Sequence, residues 1–227
     1  MMTVLFITGI DTDIGKTYAT GWLAKTMQAQ GKKVITQKLV QTGCIGIADD
    51  IITHRQMMSI DLQQVDKDGI TCPYVYPKPA SPHFSASLVN DKIDPERISS
   101  ATKQLEIEYE IVLLEGAGGV LVPLNNDLLT LDYISECQYP VVLVTSGRLG
   151  SINHTLLSIE AISKRGLQLH SVIYNHYLGG ELDTDRVTNS DEQIGHSSIS
   201  NSTKDYLQRY LQTNYPKSQW LELPLIV

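Results

Sequence analysis

The sequence predicts an α/β fold in three layers, doubly wound around a mostly parallel sheet. Three observations predict it. The strand-like runs are apolar with little polar alternation, as expected of parallel strands covered on both faces. Those runs alternate with helix-like ones along the chain. The first strand leads directly into the glycine loop GIDTDIGKT, residues 9–17, and a helix follows.

The elements follow in order. Residues 4–8 (VLFIT) form an apolar, β-branched run. Residues 16–30 read as a helix, with Tyr18, Trp22, Leu23, Thr26 and Met27 along one face and Gly31 as its stop. Residues 34–36 make a second strand. Residues 49–62 read as a helix with an aspartate cap and Ile51, Ile52 and Met58 at apolar positions. Asp94-Pro95-Glu96 starts another, with proline in the first turn. Residues 109–114 and 140–144 are buried strands, 151–165 a helix closed by Gly166, and 169–174 one more strand. The segment 179–204, rich in Asp, Ser, Thr and Asn, reads as a long polar surface loop. No linker divides the 227 residues, so one domain over 1–227 is expected.

Composition narrows the function. With 42% hydrophobic residues the chain can build a sizeable core. A formal net charge of -7 argues against a nucleic-acid partner, which calls for a basic stripe. No stretch approaches the roughly 20 apolar residues of a membrane span. The start, MMTVLFITG, lacks the basic region of a secretion signal. Cys44, Cys72 and Cys137 are widely spaced, which fits free thiols in a reducing compartment, so a cytoplasmic location is expected.

The glycine loop departs from the usual G-x-x-x-x-G-K-[ST] spacing. Ile10 stands where the first glycine belongs, and Gly9 lies one residue early. Strand, glycine loop, Gly-Lys-Thr and helix in that order still point to a phosphate site of the P-loop NTPase kind. Backbone N–H groups and the helix N-terminus supply positive charge there. Lys16 would reach the outer phosphates of a nucleotide, and Thr17 would ligate Mg²⁺. Two acids in the loop, Asp11 and Asp13, oppose a polyanion unless one orders water or contacts the metal.

The second half of such a site is an acid at a strand end. Glu115 ends the apolar run 111–114, and Gly116-Ala117-Gly118-Gly119 lets backbone approach a ligand closely. A third acid, Asp50 or its neighbour Asp49, follows the second strand. Lys38 stands just after that strand in TQKLVQTG, where a compact cation could stabilise charge during phosphoryl transfer. His54, His170, His176 and His196 have no ligand-like spacing, and nothing beside Cys44 suggests a catalytic base.

These residues resemble one family, the ATP-dependent dethiobiotin synthetases of biotin synthesis. The family's loop, G-T-D-T-[DE]-[VI]-G-K-T, carries the same displaced glycine, and only Ile10 is unusual against it. KLVQTG is similar to K-P-V-x-[ST]-G, PASPH to P-x-[ST]-P-H, and GRLGSINHTLL to G-x-L-G-[CST]-I-N-H. EGAGG followed by VPL matches as well, and YNH resembles an adenine-side V-x-N.

The resemblance implies the P-loop fold, ATP and Mg²⁺, and a reaction. CO₂ (or bicarbonate) is joined to 7,8-diaminopelargonic acid, through a carbamate and its mixed anhydride with phosphate, to close the cyclic urea of dethiobiotin. It implies that Lys16 and Lys38 balance charge on the carbamate and γ-phosphate, and that Thr17, Asp50 and Glu115 hold Mg²⁺. Asp13, Ile14, Gly15, Lys16, Thr17, Tyr18, Gly116, Ala117 and Gly118 would bind nucleotide, with Asn175 and His176 at the adenine. Thr12, Thr42 and Ser81 would contact the diamine or carbamate, and Gly150-Ser151-Ile152-Asn153 would accept the substrate carboxylate. It also implies a homodimer with substrate near the subunit interface. Leu39 replaces the family's proline and Gln41 its small residue, so the substrate loop is expected to sit differently.

Rival readings are weaker. A partitioning-type switch ATPase would carry a lysine where Asp11 stands, and a targeting-type GTPase would carry N-K-x-D, which YNHY does not. A nucleotide-binding paralogue without turnover is the third alternative.

Overall fold

The computed structural model describes residues 3–176 and 190–224, with side chains from 199 onward in the second stretch. In chain order the elements are β1 (Thr3–Gly9), α1 (Lys16–Ala29), β2 (Val34–Lys38), β3 (Gln41–Thr42), α2 (Asp49–Met58) and α3 (Gln64–Lys67). Then come β4 (Val75–Tyr76), α4 (Pro82–Ser87), α5 (Pro95–Glu108), β5 (Ile111–Gly119), β6 (Pro123–Asn125) and β7 (Leu128–Leu129). The chain continues with α6 (Thr130–Cys137), β8 (Val141–Ser146), α7 (Ser151–Lys164), β9 (Leu169–Asn175), α8 (Ser190–Asn214) and β10 (Gln219–Leu223).

Six strands form one sheet in the order β10-β9-β8-β1-β5-β2. Every pairing in it is parallel. The chain leaves β1 in one direction towards β2 and later in the other through β8, β9 and β10, which is the doubly wound pattern. Ligands in such sheets lie beyond the carboxyl ends of the strands, where the winding reverses. That place here is the end of β1, where residues 9–17 begin.

The central strands are buried along their whole apolar length, Phe6 and Ile7 in β1, Val112 to Leu114 in β5, and Val141 to Val144 in β8. That is why they read as continuous runs in the sequence. β5 runs on through Gly119, so the glycine segment after Glu115 is strand rather than turn. β2 likewise runs to Lys38, which is its last residue.

Three expectations are corrected. The buried stripe of α1 is Ala19, Thr20, Leu23 and Ala24, while Tyr18 is half exposed. The small residues Ala19, Gly21 and Ala24 let the helix approach its neighbours closely, so size rather than hydropathy marks its inner face. A Cβ on Gly21 would sit 2.6 Å from the Met57 sulfur of α2. The helix at 49 ends at Met58, where Ser59 turns into the left-handed region, and it carries no side-chain cap. Residues 190–204 of the segment read as a loop belong to α8, while 179–189 lie outside the described residues. Its serines, asparagines and charges hide a helix whose later turns bury Thr203, Leu207 and Leu211.

The helix start at Asp94 is as expected, with its carboxylate accepting from the Glu96 amide at 2.9 Å. β10 was not foreseen. It lies at the sheet edge beside β9, and its exposed residues alternate poorly with apolar ones. Among the described residues no helix is long and apolar enough to cross a membrane.

Candidate active site

A cavity of about 750 Å³ opens at the carboxyl ends of β1, β5 and β2. Its walls include Thr12, Asp13, Gly15, Lys16, Thr17 and Tyr18 from the loop and α1. Lys38, Gln41, Thr42, Asp50, Glu115, Ala117, Gly118, Asn175, Leu223 and Pro224 also line it.

The phosphate loop turns on two residues with positive φ, Asp13 at 55° and Gly15 at 92°. Gly15 precedes α1 at φ 92°, in the left-handed region that a residue with a Cβ enters only with strain. No side chain caps α1, so its first-turn N–H groups face the cavity without a side-chain acceptor. Asn175 packs against Gly15 and donates from Nδ2 to the Ile14 carbonyl at 3.0 Å. The last residue of β9 therefore braces the loop. Asp11 turns away from the phosphate side to pair with Arg148 in the turn before α7. Burial works against its charge, but the Thr12 amide and Arg148 outweigh that and hold its carboxyl below the usual value. That pairing gives the loop acid its own partner. Ile10, in place of the missing glycine, is buried in the core.

The acid half converges on Lys38. Its ammonium donates to Glu115 Oε1 at 2.7 Å, Asp50 Oδ2 at 2.5 Å and the Gly116 carbonyl at 3.1 Å, which uses all three of its protons. Burial opposes the charge on Lys38, yet Glu115 and Asp50 outweigh it and hold the ammonium's pKa above the ordinary lysine value. Glu115 is fully buried, which alone would raise its pKa; Lys38 and His54 reverse that and keep it ionised well below the usual range. Of the two acids that begin α2, the structure brings Asp50 into the site and leaves Asp49 exposed.

Lys16 behaves differently. Its Nζ donates to the Asp11 carbonyl at 2.9 Å, within its own loop. Burial, followed by the nearby Lys38 charge, pushes its pKa down to about 8, against the pull of Glu115, Asp50 and Asp13. A cation that holds its proton this weakly gains most from an arriving anion.

Thr17 donates to Glu115 Oε1 at 3.3 Å. A hydroxyl and two carboxylates, Glu115 and Asp50, thus meet on one side of the cavity. Among the described residues no group of three or more His, Cys, Asp or Glu could cage a metal alone. The donor set instead suits Mg²⁺, which is commonly held by one or two carboxylates together with phosphate oxygens and water.

Several expected site residues lie elsewhere in a single chain. Ser81 is the residue before α4 and does not line the cavity. Gly150 precedes α7 and Ser151 to Asn153 begin it, with Ser151 buried at 3.2 Å from Ser146 and Asn153 exposed; none of them lines it either. His176 pairs with Glu222 at 2.8 Å beside the cavity rather than in its wall. Gly116 offers its carbonyl to Lys38, and Ile14 offers its own to Asn175.

One residue was missed. His54 of α2 is fully buried with Nε2 3.0 Å from Glu115 Oε2. Spacing gave no hint of it, because the contact joins a helix to a distant strand.

Comparison with known proteins agrees with this geometry. A family model described as an AAA domain matches residues 3–212. The ATP-dependent dethiobiotin synthetase BioD 2 of Pasteurella multocida is 50% identical over 226 residues, covering 100% of this chain and 99% of that protein. Its namesake in Haemophilus ducreyi is 46% identical, covering 97% of this chain and 98% of the other. The ATP-dependent dethiobiotin synthetase BioD of Chlorobaculum tepidum is 50% identical over 84% of this chain and 79% of its own. With a phosphate loop, a doubly wound sheet and relatives matched almost end to end, the chain belongs to the ATP-dependent dethiobiotin synthetase family.

Proposed function

We propose that the chain joins CO₂ to the two amines of 7,8-diaminopelargonic acid, with ATP as co-substrate, and releases dethiobiotin, ADP and phosphate. The observation that carries this reading is the convergence of Lys16, Thr17, Lys38, Asp50 and Glu115 in one cavity at the end of β1. Relatives half identical over the whole chain and named for this activity support it.

The chemistry needs three services from the protein. The nucleotide's phosphates need a cradle, which the open N-terminus of α1 and the Gly15 backbone provide. The carbamate oxygen and the transferring phosphoryl group carry negative charge that must be met without water. Lys16 and Lys38 stand where fixed cations would do so. Mg²⁺, held by Thr17, Asp50 and Glu115, would neutralise charge on the phosphates when bound. One amine takes up CO₂ as a carbamate, the carbamate oxygen is phosphorylated, and the other amine displaces phosphate as the ring closes. Thr12 and Thr42 line the same cavity and are placed to contact the diamine or carbamate.

The first turn of α7 is read as the acceptor of the substrate carboxylate, through backbone N–H groups at the positive end of the helix. It does not line the cavity of its own chain. A homodimer in which a second copy supplies that turn is the arrangement this placement supports.

Purified protein with Mg-ATP and bicarbonate, with and without 7,8-diaminopelargonic acid, tests the reading. Phosphate that depends on the diamine and matches dethiobiotin by mass spectrometry is the expected result. Phosphate released equally without diamine would point to a switch ATPase instead. Nucleotide binding without turnover would point to an inactive paralogue.

A further inference from the structure

Glu115 is wholly buried, and a carboxylate taken out of water needs partners for both oxygens. Oε1 has Lys38 at 2.7 Å and the Thr17 hydroxyl at 3.3 Å. Oε2 lies 3.0 Å from Nε2 of His54, close in distance but without hydrogen-bond alignment, so among the described residues both buried atoms lack a hydrogen-bond partner and face each other.

The proton's place on the His54 ring follows from the ring's other side. Nδ1 lies 3.0 Å from the Thr36 hydroxyl. That hydroxyl accepts from Arg55 Nη1 at 2.7 Å, and a guanidinium has no lone pair to accept in return. Nδ1 is then the neighbour able to take the Thr36 proton. A bare Nε2 would set its lone pair against a carboxylate oxygen, whereas Nε2–H sets a donor there. Arg55 is itself held in place by Asp66, Nε to Oδ2 at 2.9 Å.

We propose that His54 is a positioning residue for the reaction. Its Nε2–H donates to Glu115 Oε2, with the tautomer set by Thr36 and Arg55, and so turns Oε1 towards Thr17 and Lys38. Glu115 is then presented to the nucleotide and its divalent cation in one orientation only. This rests on the reading of Thr17, Asp50 and Glu115 as the cation side of the site. Partners that orient a ligating group behind the metal typically matter by about 10–100-fold in affinity or activity when removed.

The test uses the full chain. Nitrogen shifts of the His54 ring, from NMR of ¹⁵N-labelled protein, report which nitrogen is protonated. Manganese binding in the presence of a non-hydrolysable ATP analogue, read by electron paramagnetic resonance, reports on Glu115 without turnover. The expected results are a protonated Nε2, Mn²⁺ affinity weakened about 10-fold or more in His54→Leu, and substantial recovery in His54→Gln, whose amide can donate. Circular dichroism melting establishes that His54→Leu is folded. Thr36→Val, which keeps the shape and removes the hydroxyl, should shift the ring's tautomer balance and weaken Mn²⁺ in the same direction. A bare Nε2 in the wild type, or wild-type Mn²⁺ affinity in folded His54→Leu, overturns the proposal. If the wild type makes no dethiobiotin, the activity reading fails separately, and the NMR and manganese readouts still decide for or against His54.

Discussion

Arg55 grips Asp66 from two directions, Nε to Oδ2 at 2.9 Å and Nη2 to Oδ1 at 2.8 Å, and both side chains are buried. Thr71 and the Gln63 amide also donate to the carboxylate, at 2.7 and 2.8 Å. Removing one partner strands a charge in the core, at about 3–5 kcal/mol. Asp66→Asn is therefore expected to lower the melting temperature steeply. The double variant Arg55→Met/Asp66→Leu should recover much of the loss, and a double variant no more stable than Asp66→Asn would contradict this.

The same pair sets an acid limit. Burial raises the Asp66 pKa, but hydrogen bonds from and attraction to Arg55, with Thr71 and Gln63 adding to them, bring it below the ordinary value. A folded pKa below the unfolded one means the contribution is fully present above roughly pH 4, the unfolded Asp value, and is lost as pH falls through the folded pKa. Stability measured by urea melts from pH 6 down to 3 should decline more steeply in the wild type than in the double variant.

Lys16 and Lys38 should separate in their effects. Lys16→Ala is expected to leave the fold intact and cut turnover about 10²–10³-fold, the scale of losing one charge-stabilising donor. Lys38→Ala should do the same to turnover and also destabilise the ligand-free protein, because Glu115 and Asp50 lose their shared buried cation. Equal melting temperatures for the two variants would argue against that asymmetry.

Gly15→Ala tests the loop backbone. The left-handed conformation costs a residue with a Cβ roughly 1–2 kcal/mol, and the new methyl would strike the Asn175 amide. A raised KM for ATP is expected. Asn175→Ala removes one hydrogen bond to the loop, worth about 0.5–1.5 kcal/mol, so its KM should rise by less.

Chelation of divalent cations should abolish phosphate release, and Glu115→Gln should raise the Mg²⁺ concentration needed for half-maximal rate. Unchanged magnesium dependence in Glu115→Gln would remove Glu115 from the cation side.

Much of the fold was legible because its strands are buried on both faces and so read as plain apolar runs. α8 was not, since its polar composition carries little periodicity and its packing rests on a few residues such as Leu207 and Leu211. β10 is an edge strand with little to bury. In the site, residues held by backbone geometry next to a motif were readable, Lys16, Thr17 and Glu115 among them. His54, Thr36 and Arg55 were not. Their link to Glu115 exists only once α2 is laid against β2 and β5, and each of them in isolation is an ordinary polar residue.

The absence of a side chain at Gly21 has a consequence for the site. α1 carries Lys16 and Thr17, α2 carries Asp50 and His54, and the two helices meet where Gly21 receives Met57. The phosphate-facing and acid-facing walls thus share one close helix–helix contact, and a side chain at position 21 would push Lys16 and Thr17 away from Asp50 and His54.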